Sequence, residues 1–417
     1  MQLGRGAETP APPFGRLRGF VNLIKLSAID LKPIREGMRF AQVLLAVIAV
    51  GGCARPDGAG SIAAADVALV GRFGSTDGPL TLRQIGSITL SPGTGDTLLL
   101  TQFRVPAILM LSSAGDSIGM IGRAGAGPGE FSTPLKPHFL NDTIWIADVS
   151  GSISRFAVGA GFVDRLRPRI PPLGPNELNP SFVAPLSDGT LLFTASAGSA
   201  SESSESDPTR ALIRVDRQFG VLDTVLLRKL RSGSYFLTFP SGGGITGRHP
   251  VSLSDLMAMD PNGRWIVLVR QELSTPEGYG FSVEWIDAEG DTVGRHLVTS
   301  LRLPTSDLRD AWIDRLSASG AHSRAEVEKA AEDVPFPEFR PGAEEAFVDL
   351  TGRAWIRSPH AASDSARWYV VDQTRGPVAM FALPRRVRLL AAGPDFAWGW
   401  TPGPYDEPYV LKYRVEW

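Results

Sequence analysis

Chemistry in this chain would have to come from a small set of side chains. Five histidines, His138, His249, His296, His322 and His360, stand singly along 417 residues. HExxH, which places two imidazoles on one helical face around zinc, is absent. Gly115-Asp-Ser117-Ile-Gly119 has the letters of a nucleophile elbow, but Met120-Ile121 and a glycine-rich stretch follow where an elbow needs a helix, so it reads as a hairpin turn. Gly242 to Gly247 fits GxGxxG, yet Arg248-His249-Pro250 follows in place of a helix start. Gly122 to Gly129 lacks the Lys-Ser/Thr of a P-loop. The acidic positions offer oxygen donors for a hard cation such as calcium, with Asp148 at the end of one apolar run and Asn141-Asp142 at its start. Hydrogen bonds to nearby turn amides explain these three equally well, and no cofactor is expected.

The cysteine count turns attention to the amino terminus. Cys53 is the sole cysteine, so neither an intrachain disulfide nor a cysteine zinc site can form. Arg39 precedes a run from Phe40 to Val50 that is apolar apart from Gln42 and ends in Gly51-Gly52-Cys53. A basic residue, a short apolar core and small residues are the order of a secretory signal, and about a dozen apolar residues fall short of the roughly 20 that span a bilayer. Val50-Gly51-Gly52-Cys53 resembles a bacterial lipobox, in which the cysteine becomes the acylated first residue of the mature chain. By the rule for that family, Ala54 rather than Asp after the cysteine implies the outer membrane of a two-membrane bacterium. The plainer alternative is a buried cysteine closing a strand. Residues 1–37 then read as a dispensable leader ahead of Met38, 38–52 as the signal and 53–66 as a flexible tether, rich in Gly and Ala.

Removing residues 1–52 takes away 7 basic and 3 acidic residues and leaves 35 against 41, a net charge of −6. Nucleic acid is excluded as an expected partner, because phosphate binding needs a concentrated positive face.

These residues must be positioned by strands. Gly 45 and Pro 33 are spread as single turn signals, which predicts many short strands. From Val67 a unit recurs: a turn followed by an apolar run, beginning at 95, 142, 189, 263, 352 and 396, and then a strand pair joined by a turn, at Ala107, Ser152, Ala211, Phe281, Trp368 and Tyr409. Both counts are six. Within the best-marked unit, Ile121 to Phe156, the order Gly-x-Gly-Pro-Gly-Glu-Phe, a proline, a strand ending Ala147-Asp148 and then Arg155-Phe156 resembles the repeat of NHL-type β-propellers. The resemblance implies an all-β, six-bladed propeller over 67–417. The last unit is one strand short at Trp417, and Val67 to Phe73 is one strand in excess, so this strand is expected to close the ring beside Tyr409 to Val415.

Two spacings are long. Ala197 to Thr209 is polar and of low complexity. Thr305 to Asp333, within an insertion of about 305–335, carries Leu308, Ala311, Trp312 and Leu316 at helical spacing. Ser323 to Glu326 then forms a capping box. This helical pair reads more as a packing element than as a lid. Trp145, Trp265, Trp285, Trp355, Trp368, Trp398 and Trp400 fall on predicted strands, where alternation packs most of them between blades and leaves any exposed one as a binding anchor. The expected function is a lipid-anchored, extracytoplasmic binding module for a protein, peptide or glycan on one face. The alternatives are a metal-dependent propeller hydrolase or lyase of lactonase type, and a structural subunit of an envelope complex. Amidating lyases of the propeller class hold metal through histidines, but none of their motifs matches here.

Overall fold

Short apolar runs cut by Gly, Pro and Asp turns can bury themselves only by pairing with the next run and packing that sheet on its neighbour. The computed structural model describes residues 62–74, 80–93, 95–159, 161–170, 178–196, 209–229, 234–239, 242–249, 251, 253–271, 278–318, 320–362 and 364–417. Cys53, segments 1–37 and 38–52 and most of the 53–66 tether lie outside the described residues, as does most of Ala197 to Thr209.

Strand β1 (Asp66–Phe73) comes first. Blade 1 is β2 (Ile85–Leu90), β3 (Thr97–Gln102), β4 (Ile108–Ser112) and β5 (Ser117–Ile121). A parallel pair, β6 (Arg123–Ala124) and β7 (Glu130–Phe131), leads to blade 2, which is β8 (His138–Leu140), β9 (Thr143–Ala147), β10 (Ile153–Ala157) and β11 (Gly161–Leu166). Blade 3 is β12 (Leu178–Pro185), β13 (Leu191–Ser196), β14 (Thr209–Val215) and β15 (Val221–Lys229). The hairpin β16 (Ser234–Thr238) and β17 (Gly244–Arg248) precedes blade 4, formed by β18 (Leu256–Met259), β19 (Ile266–Arg270), β20 (Gly280–Ile286) and β21 (Thr292–Thr299). Helices α1 (Ser306–Ser317) and α2 (Arg324–Ala330) precede blade 5, which is β22 (Glu345–Val348), β23 (Ala354–Pro359), β24 (Ser365–Asp372) and β25 (Gly376–Pro384). Blade 6 is β26 (Arg388–Ala392), β27 (Phe396–Pro402) and β28 (Pro408–Glu416), with β1 as its fourth strand.

Six antiparallel blades therefore form the propeller, closed by the amino-terminal strand. The register of β1 on β28 runs from Val67 opposite Val415 to Phe73 opposite Val410. The strand that follows each turn signal, β3 in blade 1 and β9 in blade 2 for example, is the second of its blade. An innermost strand such as Glu345–Val348 has four residues and no turn signature of its own, which is why the repeat conceals it. The Ile121 to Phe156 stretch joins blade 1 to blade 2 and supplies three strands of blade 2. Its glycines are required: a Cβ on Gly122, at φ +79°, would lie 2.3 Å from the Phe131 ring.

The expected tether is too long at its carboxyl end. The Met380 N–H donates to the Ala63 carbonyl at 2.9 Å and the Ala65 N–H to the Met380 carbonyl at 3.2 Å, so this short piece covers the open edge of β25.

The core lies between blades. Trp285, Trp355, Trp368 and Trp398 are fully buried and Trp145 nearly so, while Trp265 and Trp400 are half-buried. Because consecutive strands alternate in direction, every blade-to-blade connection and every turn between a second and a third strand emerges on one face, here the upper face. Both insertions emerge there too. Leu237 from β16 and Phe239 just after it pack with Trp312 and Ile313 from α1 and Val327 from α2 in a small core of their own. The buried side of α1 is Trp312 and Ile313, with Ala311 turned to solvent. The capping box of Ser323 and Glu326 starts α2 as the sequence indicates.

Candidate functional site

Asp148 sits where β9 ends on the upper face, and its carboxylate is filled by backbone. Oδ2 accepts from the N–H groups of Ser132 and Thr133, both at 2.8 Å, and Oδ1 from Ser150 at 2.9 Å. Burial raises its pKa, but hydrogen bonds from Ser150, Thr133 and Ser132 outweigh that and hold it below the usual carboxylate value. Asn141, in the left-handed region at φ +51°, and Asp142 turn the chain at the opposite end of the same five-residue strand. That length separates them from Asp148 by about 15–20 Å, so the three oxygen donors do not converge.

The histidines are dispersed as well. His249 Nδ1 lies 2.6 Å from the Val251 carbonyl, His296 Nε2 2.7 Å from the Gln373 carbonyl and His360 Nδ1 2.7 Å from the Ser365 hydroxyl, while His322 stacks on Phe239 at 3.6 Å. Among the described residues no three His, Cys, Asp or Glu side chains are grouped as metal ligands. Gly115-Asp116 lies in the turn from β4 into β5 and Ser117 to Gly119 begin β5 itself, while Gly242-Gly243 turns β16 into β17.

Two other places gather polar groups into a cavity. The first is the upper mouth of the central channel, about 420 Å³. Apolar Ile88, Met257 and Leu390 line it together with Lys136, Glu345 and Arg388. Ile88, Lys136 and Leu390 also line a smaller space below, of about 30 Å³, so Lys136 stands at the waist of the channel. Pro134 and Pro137 hold this segment straight, and the Thr89 hydroxyl donates to the Pro137 carbonyl at 2.9 Å. Desolvation by the surrounding channel walls pushes the Lys136 ammonium below the usual lysine range, although the side chain stays exposed to the channel. Burial, and after it the charge of Lys136, holds the neighbouring His138 imidazole down at about 3, so His138 is neutral at any physiological pH. At the rim, Glu345 Oε1 accepts from Arg357 at 2.8 Å and pairs with Arg388 at 3.0 Å, and Glu344 pairs with Arg357 at 3.5 Å and Arg385 at 3.7 Å.

The second place is a cleft of about 580 Å³ between blades 2 and 3. Arg165 is fixed in its wall, with Nε and Nη2 donating to the Ser152 hydroxyl at 2.9 and 2.7 Å and Nη1 to the Ala126 carbonyl at 2.8 Å. Arg167 and Arg169, on either side of Pro168, are exposed and have no acidic partner among the described residues. The signal for this site was in the sequence, as arginines at every second position from Arg165 to Arg169. The net charge of −6 over residues 53–417 masks that local run. Lys136 carried no signal, because a lone lysine between prolines gives no sign that it faces a channel.

No protein-family model and no curated protein matches the sequence. Among solved structures, a predicted exported protein of Bacteroides fragilis is 13% identical over 85% of this chain and 95% of its own, with a TM-score of 0.45. BamB of Moraxella catarrhalis is 9% identical over 84% and 98%, with a TM-score of 0.30. The β-propeller domain of a Cps50 (Swd1) protein is 9% identical over 84% and 100%, with a TM-score of 0.36. At such identities the likeness concerns shape alone, and the six-bladed assignment stands on the sheets themselves.

Proposed function

We propose that this chain is a lipid-anchored, extracytoplasmic binding module whose upper face takes an acidic segment of a partner protein. The observation that carries the reading is the pair Arg167 and Arg169, exposed and without an acidic partner among the described residues, beside a cleft of about 580 Å³ on the face that also bears both insertions. Two exposed guanidinium groups gain most from carboxylates, which they can meet in bidentate fashion. Arg165, already held by Ser152 and Ala126, gives the cleft a rigid wall, so little ordering is needed on binding.

The test is fluorescence anisotropy with a labelled peptide of alternating Glu and Gly, set against its Lys counterpart. The Glu peptide is expected to bind and to weaken as salt rises, and the double variant Arg167→Glu, Arg169→Glu is expected to lose at least tenfold in affinity. Equal affinity in the double variant, or equal binding of both peptides, overturns the reading and leaves a glycan ligand or a structural contact as the use of this face.

The anchoring half of the proposal rests on Val50-Gly51-Gly52-Cys53. In a bacterial host, mass spectrometry of the wild-type chain is expected to find acyl groups on Cys53, and Cys53→Ser is expected to give soluble, unacylated protein. Wild-type protein without lipid at Cys53 would remove the membrane from the proposal.

A further inference from the structure

We infer that the upper mouth of the central channel is a separate binding site for a small organic acid with an apolar body, whose carboxylate meets Lys136 and Arg388. The charge balance points to an anion. Two cations, Lys136 and Arg388, line the mouth against one carboxylate, Glu345, an excess of one positive charge. Glu345 is committed to Arg357 and Arg388, and Lys136 has no hydrogen-bond or ion-pair partner among the described residues. Lys136 is exposed to the channel, so its ammonium is open to a ligand carboxylate, which it meets in a charge-assisted hydrogen bond. The lowered pKa of Lys136 agrees with its lack of a counter-charge.

The walls specify the rest of the ligand. Ile88, Met257, Phe347, Leu389 and Leu390 present apolar surface to the same cavity, and about 420 Å³ lies in the range of small-ligand pockets. Lys136 at the waist is deepest and Arg388 is at the rim, so the acid head is drawn inward while the apolar body lies against Met257 and Leu390. The site draws on blades 1, 4, 5 and 6 and on the segment entering blade 2, so a closed ring assembles it and no single repeat contains it.

Isothermal titration calorimetry of the full chain with octanoate, and with octan-1-ol as the uncharged control, tests the inference. Octanoate is expected to bind with one site per chain and at least tenfold more tightly than octan-1-ol, and Lys136→Met is expected to weaken it by at least tenfold. Should Lys136→Met fail to fold by circular dichroism, Arg388→Met is the second variant, with a loss of several-fold expected. Glu345→Gln, which frees Arg388 and adds to the positive excess, is expected to tighten octanoate binding, an outcome a merely greasy pocket would not give. The Arg167→Glu, Arg169→Glu chain is expected to bind octanoate like wild type, which separates this site from the acidic-peptide cleft. Absence of octanoate binding at millimolar concentration, equal binding of acid and alcohol, or wild-type affinity in folded Lys136→Met overturns the inference.

Discussion

Deleting residues 67–73 is expected to destabilise the whole ring by about 3–5 kcal/mol, read as a fall in the urea midpoint with a single transition. The strand pairs with β28 along its length, and removing it exposes that strand's amide edge to solvent. Its buried contribution is narrower than the apolar run Ala68 to Val70 suggests. Leu69 and Val70 are 53% and 47% exposed, so hydrophobic burial rests on Val67 and Phe73. Phe73 lies 5.7 Å from Trp398, and a Cβ on Gly115 would fall 1.9 Å from its ring, which shows how closely blade 1 is fitted around it. Phe73→Ala alone should account for about half of the loss, and Leu69→Ser for almost none. Equal effects of Phe73→Ala and Leu69→Ser, or a deletion that leaves the midpoint unchanged, would sink the closure argument.

The same strand shows why some of the fold was legible and some was not. Repetition is visible when each copy carries the same punctuation. Asp216, Asp287 and Asp148 each accept amide hydrogen bonds across a tight turn, so the turns that end or begin strands repeat as letters. Counting those turns gives six blades and one surplus strand. The innermost strands have no such mark, because their neighbours across the channel are cavity and not protein, which leaves their composition free: Ser87, Met257 and Glu345 occupy the mouth side by side. A site built at the axis of a propeller takes one residue from each distant repeat, so nothing in linear order brings Lys136, Glu345 and Arg388 together. The arginine cleft is different, since its three arginines are neighbours on one strand end and could have been read directly.

Replacement of Asp349 by Ala is expected to be the most damaging single change in the ring. The carboxylate is fully buried at the turn from β22 to β23. Its Oδ1 accepts from the Thr351 N–H and hydroxyl at 2.8 and 2.6 Å and from the Arg353 N–H at 3.0 Å, while Oδ2 accepts from Arg353 Nε at 2.8 Å and Trp355 Nε1 at 2.9 Å. Alanine would leave a guanidinium and a buried indole N–H without their acceptor, and breaking a buried pair from one side costs about 3–5 kcal/mol. Asp349→Asn keeps the shape and one acceptor oxygen but turns an amide N–H₂ toward Arg353 or Trp355, so it should recover only part of that loss. Asp216→Asn, at an exposed turn of the same form, should cost under about 1 kcal/mol, which distinguishes the buried clasp from ordinary turn chemistry. Since β22 carries Glu345 at its other end, loosening this turn should also weaken octanoate binding at the mouth, although Asp349 itself lines neither cavity there. Comparing urea midpoints of Asp349→Ala, Asp349→Asn and Asp216→Asn decides the point: similar values for all three would mean that the Asp349 cluster is no more than another surface turn.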